Sequence, residues 1–88
     1  MDLNELRNEI NGIDDEILDL FLRRMALARQ VAEYKREKNL PIYQPQREQE
    51  ILESVTQRAG ELGGYAGELF TTLMDLSKQY QRDQEVTA

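Results

Sequence analysis

The chain has 88 residues, with 11 basic and 17 acidic side chains and a formal net charge of -6. It contains no cysteine and no histidine, which excludes disulfides, thiol nucleophiles, Ser-His-Asp triads and the usual zinc ligands. The acidic balance disfavours a nucleic-acid or anionic-membrane binder, and the sequence has neither a signal segment nor a run of about 18 apolar residues. We therefore expect one soluble, cytoplasmic domain over residues 1–88, without a metal site.

The charges are unevenly distributed along the chain. Residues 23–47 contain seven basic and two acidic side chains, a sum of +5, whereas the remaining residues contain four basic and fifteen acidic side chains, a sum of -11. A concentrated cationic segment in an acidic protein favours local attraction of a small anion. The alternative is a solvated basic face on a long helix.

The first predicted helix is unusually long. Asp2 and Glu5 have the spacing of a capping box, and Asn39 and Pro41 predict the end of the helix. About 35 residues span about 52 Å, whereas a globule of this chain length should be only about 30 Å across. We therefore expect a dimer in which helix 1 packs against its copy.

An apolar stripe follows helix 1 at alternating spacings of three and four residues, and Arg24 is its one charged member. Lys35 lies only about 20° around the helix from Arg24. Such a stripe is typical of a helix that is buried against partners. The two cations could bind an anion, could extend to solvent at the rim, or could pair with acidic residues of a second subunit. The stripe consists of Leu3, Leu6, Ile10, Ile13, Ile17, Leu20, Arg24, Leu27, Val31 and Tyr34.

Two shorter helices are predicted after an extended linker at residues 40–44. Pro45 is placed as the first residue of helix 2, and Gly63-Gly64 is predicted to end it. Helix 3 is expected from about Ala66 to about Gln84. No segment has the period of two that a strand needs, so the predicted class is all-α, with three helices per chain in an intertwined homodimer. The expected inward residues are Ile51, Leu52, Val55, Ala59 and Leu62 on helix 2, and Leu69, Phe70, Leu73, Met74 and Leu76 on helix 3.

Polar residues on or beside these apolar faces are the functional candidates. Arg47 and Glu48 precede the apolar stripe of helix 2 by one turn. Ser77 and Gln81 continue the inward line of helix 3. The alternatives are an ordinary first turn of a surface helix for the first pair and a solvated helix end for the second.

Arg7 provides a geometric test of the dimer. It lies seventeen residues from Arg24, or about 25 Å along the helix, which is too far for one metabolite to touch both within a subunit. Two antiparallel copies of helix 1 crossing near residues 15 and 16 would place Arg7 of one chain opposite Arg24 of the other. Each anion site would then be shared between subunits.

Several short motifs occur in a fixed order along the chain: Leu6-Arg7-Asn8-Glu9-Ile10, Ile13-Asp14, Arg23-Arg24 with Lys35, Pro41-Ile42-Tyr43 before Arg47-Glu48, and Leu69-Phe70 followed by Ser77 and Gln81. No single motif is diagnostic, but the set at these spacings is specific. In this set the chain resembles the all-helical chorismate mutases over essentially its whole length.

The resemblance implies an intertwined homodimer that rearranges chorismate to prephenate in phenylalanine and tyrosine biosynthesis, without a cofactor or a covalent intermediate. It implies that Arg7 from one subunit and Arg24 from the other bind the two substrate carboxylates, and that Lys35 and Gln81 hydrogen-bond the ether oxygen. These four residues would be catalytic. The resemblance also implies that Glu48 accepts a hydrogen bond from the ring hydroxyl, that Arg47 supports that end of the pocket, and that Ser77 assists a carboxylate.

One position, Gln44, differs from many members of the family, and a second, Gln81, varies among them. Gln44 stands where Asp is frequent, which weakens a side-chain role in substrate binding but leaves a backbone contact possible. Gln81 stands where some members have Glu, and an amide donates a hydrogen bond at any pH. The alternatives that remain are an isochorismate-pyruvate lyase on the same fold and a non-catalytic helical dimerisation or regulatory module.

Overall fold

The computed structural model describes residues 1–87, with side chains for residues 1–84. Helix α1 spans Leu3–Glu37, α2 spans Pro45–Arg58 and α3 spans Gly63–Thr87, with a short 3₁₀ turn at Gly60–Leu62. No strand occurs within residues 1–87. The predicted all-α class, with one long and two shorter helices, is therefore confirmed.

The ends of α1 follow the predicted signals. Asp2 is the N-cap, and its carboxylate accepts a hydrogen bond of 2.9 Å from the backbone N–H of Glu5. At the other end Asn39 adopts a positive φ of 56°, the left-handed conformation that commonly follows a helix. The short linker then leads to Pro45 at the first position of α2.

The junction between α2 and α3 differs from the prediction. Helix α2 ends at Arg58, Gly60 takes a positive φ of 61°, and Gly63 begins α3 instead of ending α2. A Cβ atom on Gly63 would lie 2.6 Å from the carbonyl oxygen of Thr56. Gly63 is therefore required because α3 comes close to the backbone of α2 at this residue. Gly60 is required by its positive φ.

Helix α3 packs against both α1 and α2, and the result is elongated. The radius of gyration is 16.1 Å and the principal extents are 54 × 28 × 14 Å, compared with a radius of about 12 Å for a compact domain of this length. Residues 3–20 of α1 are exposed along their whole length. Among the described residues, no helix combines the length and apolarity needed to cross a membrane.

The core of the single chain is small. Ala32 and Met74 are its buried hydrophobic side chains, and Phe21, Met25 and Ala28 are half-buried on the face of α1 that includes Ala32. The expectation that Leu62, Leu69 and Leu76 are buried is wrong for the single chain, where their exposed fractions are 57%, 56% and 44%. The apolar stripe of α1 is likewise exposed, because α3 covers a different face of that helix.

Candidate active site

A cleft of about 300 Å³ lies between the C-terminal half of α1, the linker, the start of α2 and the middle of α3. Its polar lining comes from all four of these segments, although the residues are distant in sequence. Seven of the eight predicted site residues line it: Arg24, Lys35, Gln44, Arg47, Glu48, Ser77 and Gln81.

Arg24 points across the cleft toward α3. Its guanidinium donates a short hydrogen bond to Ser77 Oγ and a longer one, of 3.5 Å, to the carbonyl oxygen of Leu73. Ser77 Oγ in turn donates to the same carbonyl at 2.9 Å. Arg24 is half-buried, so within the chain it neither extends freely to solvent nor depends on a carboxylate of α1.

Lys35 connects α1 to the linker. Its Nζ donates a hydrogen bond of 3.0 Å to the carbonyl oxygen of Ile42. An ammonium group has three hydrogens to donate, so this bond orients the side chain and leaves donors for a further acceptor in the cleft.

Ser77 and Gln81 are buried, with exposed fractions of 9% and 6%. A solvated helix end is therefore not their environment. The Gln81 amide Nε2 donates a hydrogen bond of 2.9 Å to the carbonyl oxygen of Ala28. Because burial of an unpaired polar group is costly, this bond and that of Ser77 to Leu73 explain how α3 keeps two polar side chains in the interface with α1.

Glu48 pairs with Lys78, a residue that the sequence analysis missed. Lys78 Nζ lies 3.1 Å from Oε1 and 3.0 Å from Oε2 of Glu48. The hydrogen bond to Glu48 raises the pKa of Lys78 above the usual lysine value. The spacing contains a signal for this position, since Lys78 lies four residues after the inward Met74 and directly between Ser77 and Gln81.

Gln44 and Arg47 lie on the exposed side of the cleft. Gln44 is the N-cap residue of α2, but its side chain makes no capping hydrogen bond. Its carbonyl oxygen accepts from the backbone N–H of Glu48 at 3.2 Å. The side chain of Gln44 is therefore not committed to the helix end and lines the cleft instead.

Arg7 is the one predicted site residue that lies outside the cleft. It is exposed on the N-terminal half of α1, about 25 Å along the helix from Arg24 at the rise of an ideal α-helix. The chain by itself does not bring Arg7 to the other seven residues.

The balance of charge in the cleft favours an anion. Arg24, Lys35, Arg47 and Lys78 are cationic, and Glu48 is the acidic residue of the lining. Because Lys78 pairs with Glu48, the other three cations leave a net positive charge. Arginine binds carboxylates through parallel hydrogen bonds, so the cleft is suited to a small molecule with carboxylate groups and further hydrogen-bond acceptors.

Comparison with known proteins gives a consistent result. The family model described as chorismate mutase type II matches residues 6–82. The chain is 46% identical over 63 residues to the bifunctional chorismate mutase/prephenate dehydratase of Aquifex aeolicus, covering 72% of this chain and 17% of that protein. It is 35% identical over 81 residues to the T-protein of Haemophilus influenzae, covering 92% of this chain and 20% of that protein.

A chorismate mutase of Methanocaldococcus jannaschii is 39% identical over 59 residues, covering 67% of this chain and 60% of that protein. The chain thus spans less than two thirds of the length of these curated relatives. No solved structure gives a significant match.

Proposed function

Because the chain belongs to the chorismate mutase type II family, we propose that it catalyses the rearrangement of chorismate to prephenate. The observation that carries the proposal is the convergence of seven polar residues from α1, the linker, α2 and α3 on one positively charged cleft. Chorismate carries two carboxylates, one hydroxyl and an ether oxygen. The cleft offers cations for the carboxylates, the Glu48 carboxylate for the hydroxyl, and hydrogen-bond donors for the ether oxygen.

The proposed reaction is an intramolecular rearrangement in which one C–O bond breaks while one C–C bond forms. It needs no nucleophile, and its rate depends on holding the substrate in a reactive conformation and on stabilising the charge that develops. This agrees with a chain that has no cysteine and no histidine.

Lys35 and Gln81 are the proposed donors to the ether oxygen. Negative charge grows on that oxygen as the C–O bond breaks, so hydrogen bonds to it strengthen in the transition state and lower the barrier. Both side chains are held by backbone carbonyls, those of Ile42 and Ala28. Each of them has at least one further N–H to donate, so the same anchored group can serve the substrate.

Arg24 is the proposed ligand of one substrate carboxylate, with Ser77 beside it. Its hydrogen bonds to Ser77 and Leu73 are made through Nη1, and a guanidinium carries five N–H donors. Nη2 and Nε therefore remain for a carboxylate. Glu48 would accept from the ring hydroxyl, with Arg47 and Gln44 on the same exposed side of the cleft.

A second copy of the chain is the proposed source of Arg7. The exposed stripe of α1 and the long, flat shape of the chain support association through this helix. If two copies of α1 cross antiparallel near residues 15 and 16, Arg7 of one subunit meets Arg24 of the other. The homodimer would then have two sites, each completed across the interface.

The test is to offer chorismate and isochorismate separately to the purified protein and to identify the products. Prephenate has the same mass as chorismate, so NMR spectroscopy or chromatography must distinguish them. We expect prephenate from chorismate. Release of pyruvate from isochorismate without prephenate from chorismate would instead support a lyase, and binding without turnover of either compound would support a regulatory module.

A further inference from the structure

Lys78 joins three segments that form one wall of the cleft. Its Nζ binds Glu48 on α2, lies 3.5 Å from Asp75 Oδ1 on α3 and stands 4.6 Å from the centre of the Tyr43 ring in the linker. The Lys78 side chain is only 16% exposed, whereas that of Asp75 is 65% exposed. The contact with Glu48, whose side chain is 23% exposed, is therefore the most sheltered of the three.

These contacts occupy the ammonium group. It has three hydrogens, and it faces two carboxylates and the face of an aromatic ring, each of which attracts a cation. Unlike Lys35, which is held by a single carbonyl, Lys78 has no evident donor left for a substrate. Its influence on a bound molecule must therefore pass through its neighbours.

We propose that Lys78 is a positioning residue, which fixes the Glu48 carboxylate on the wall of the cleft and holds the adjoining linker through the ring of Tyr43, a residue outside the cleft lining. The inference rests on the proposed function in one respect, that Glu48 accepts a hydrogen bond from the substrate hydroxyl. Lys78 contacts both oxygens of Glu48, which defines the plane of the carboxylate. A carboxylate has about four acceptor positions, so it can hold Lys78 and a hydroxyl together.

The Tyr43 contact extends the same effect to the linker. Residues 40–44 connect two helices without regular hydrogen bonding of their own, and Lys35 holds them at the Ile42 carbonyl. Lys78 holds them again one residue later, from the side of α3. The linker is thereby fixed between two lysines on different helices, which determines where Gln44 and the start of α2 lie.

The first experiment measures kcat and KM for chorismate in Lys78→Met, which keeps most of the length of the side chain and removes the charge. We expect KM to rise about tenfold and kcat to change less than about threefold, because Glu48 binds a hydroxyl that does not react, and that hydrogen bond is about equally strong in the ground state and in the transition state. Lys78→Arg should recover most of the loss, since a guanidinium can also hold both oxygens of Glu48.

Lys38→Met is the matched control. Lys38 also lies near an aromatic ring, with Nζ 5.9 Å from the centre of Tyr34, but it is exposed and outside the cleft. Its kinetic constants should equal those of the unmodified protein. Circular dichroism would establish folding, and Lys78→Gln replaces Lys78→Met if the latter does not fold.

A double-mutant cycle with Glu48→Gln tests the proposed route of action. If Lys78 acts through Glu48, Lys78→Met should lower kcat/KM less than about twofold once Glu48 is already Gln. Multiplicative losses in the double variant would show that Lys78 acts independently of Glu48, and would overturn its assignment as the residue that positions Glu48.

Hydrogen exchange provides a readout that needs no substrate. The readout is the hydrogen-bonded amides at the two ends of the linker, Leu40 and Glu48. Both should exchange several-fold faster in Lys78→Met than in the unmodified protein, and Lys38→Met should leave them unchanged. Unchanged exchange in Lys78→Met would also overturn the proposal. If the unmodified protein does not convert chorismate, the proposed function fails, and the exchange result still tests whether Lys78 holds the linker.

Discussion

The two halves of α1 share one apolar periodicity but differ in what surrounds them. In residues 21–37 one face of the helix is covered by α3, with Ala32 buried and Phe21, Met25 and Ala28 half-buried. In residues 3–20 every residue is exposed. The covered half contributes Arg24 and Lys35 to the cleft, whereas the exposed half carries Arg7, far from it.

This difference shows that the stripe and the face of α1 packed against α3 are distinct, although Arg24, Leu27 and Val31 of the stripe also line the cleft. Leu27 and Val31, which belong to the stripe, are 59% and 44% exposed even where α3 covers the helix. An exposed apolar surface of this length is typical of a protein interface. The same surface continues through both halves of α1, so a second copy could cover the stripe without displacing α3.

Arg24→Leu is the substitution with the largest expected effect, and it tests the covered half. We expect kcat/KM for chorismate to fall about 10²–10³-fold, because a charged donor to a substrate carboxylate is removed. The protein should stay folded with a modestly lower melting temperature, since the hydrogen bonds of Arg24 to Ser77 and to the Leu73 carbonyl are lost. Turnover and thermal unfolding measured on the same preparation check both parts.

The matched control for this substitution is Arg29→Leu. Arg29 is an exposed arginine on the same half of α1, where it pairs at 3.7 Å with Glu33, and such a surface pair contributes little to stability. Its activity should equal that of the unmodified protein. Full activity in Arg24→Leu, with a higher melting temperature, would favour a simple dimerisation module over an enzyme.

Arg7→Ala tests the exposed half and should lower kcat/KM about 10²-fold, as expected for loss of one carboxylate contact. Arg7 has no role in the packing of the single chain, so folding should be unaffected. The informative measurement mixes this variant with Arg24→Leu after unfolding and refolding together. A mixed dimer contains one subunit of each variant. One of its two sites would then combine Arg7 of the Arg24→Leu subunit with Arg24 of the Arg7→Ala subunit.

Random reassociation makes half of the dimers mixed, each with one intact site, so the mixture should recover about a quarter of full activity. Each variant refolded alone provides the baseline. Absence of recovery, with mixed dimers demonstrated by mass spectrometry, would show that the two halves of α1 do not complete one site across the interface.

The smallest expected effect concerns Gln81, which lies on α3 against the covered half of α1. An amide donates its hydrogen bond at any pH, so kcat should vary little between pH 6 and pH 8. Gln81→Glu must be protonated to donate, and its kcat should therefore fall as the pH rises. A steep loss in the unmodified protein over the same range would contradict the role of Gln81 at the ether oxygen.

The helix ends show which parts of the fold can be predicted from sequence. The Asp2 cap, the turn at Asn39 and Pro45 each act locally, and the structure has them where the residues indicate. The prediction that Gly63-Gly64 ends α2 is wrong, because a glycine can be required either by its backbone conformation or by close packing. Gly60 provides a positive φ, whereas Gly63 provides room for the backbone of α2, and the second purpose depends on tertiary packing.

The site residues also divide into those that local sequence patterns indicate and those that depend on tertiary packing. Ser77 and Gln81 could be placed from helical spacing because they continue a line of inward residues on α3. Lys78 has the same helical spacing from Met74, but spacing alone does not assign it to the site, because a lysine beside an apolar line is usually a solvated surface residue. The half-buried ammonium group of Lys78 is stabilised by Glu48 on α2 and by the ring of Tyr43 in the linker. These contacts depend on the tertiary structure.

The close approach at Gly63 lets this residue control the angle between α2 and α3. Glu48 lies eight residues before Thr56 on the same rigid helix, or about 12 Å along its axis. Any side chain at residue 63 would press against the Thr56 carbonyl and tilt α2 away from α3. The tilt would be amplified at Glu48, so the width of the cleft is set in part by a residue that has no chemistry of its own.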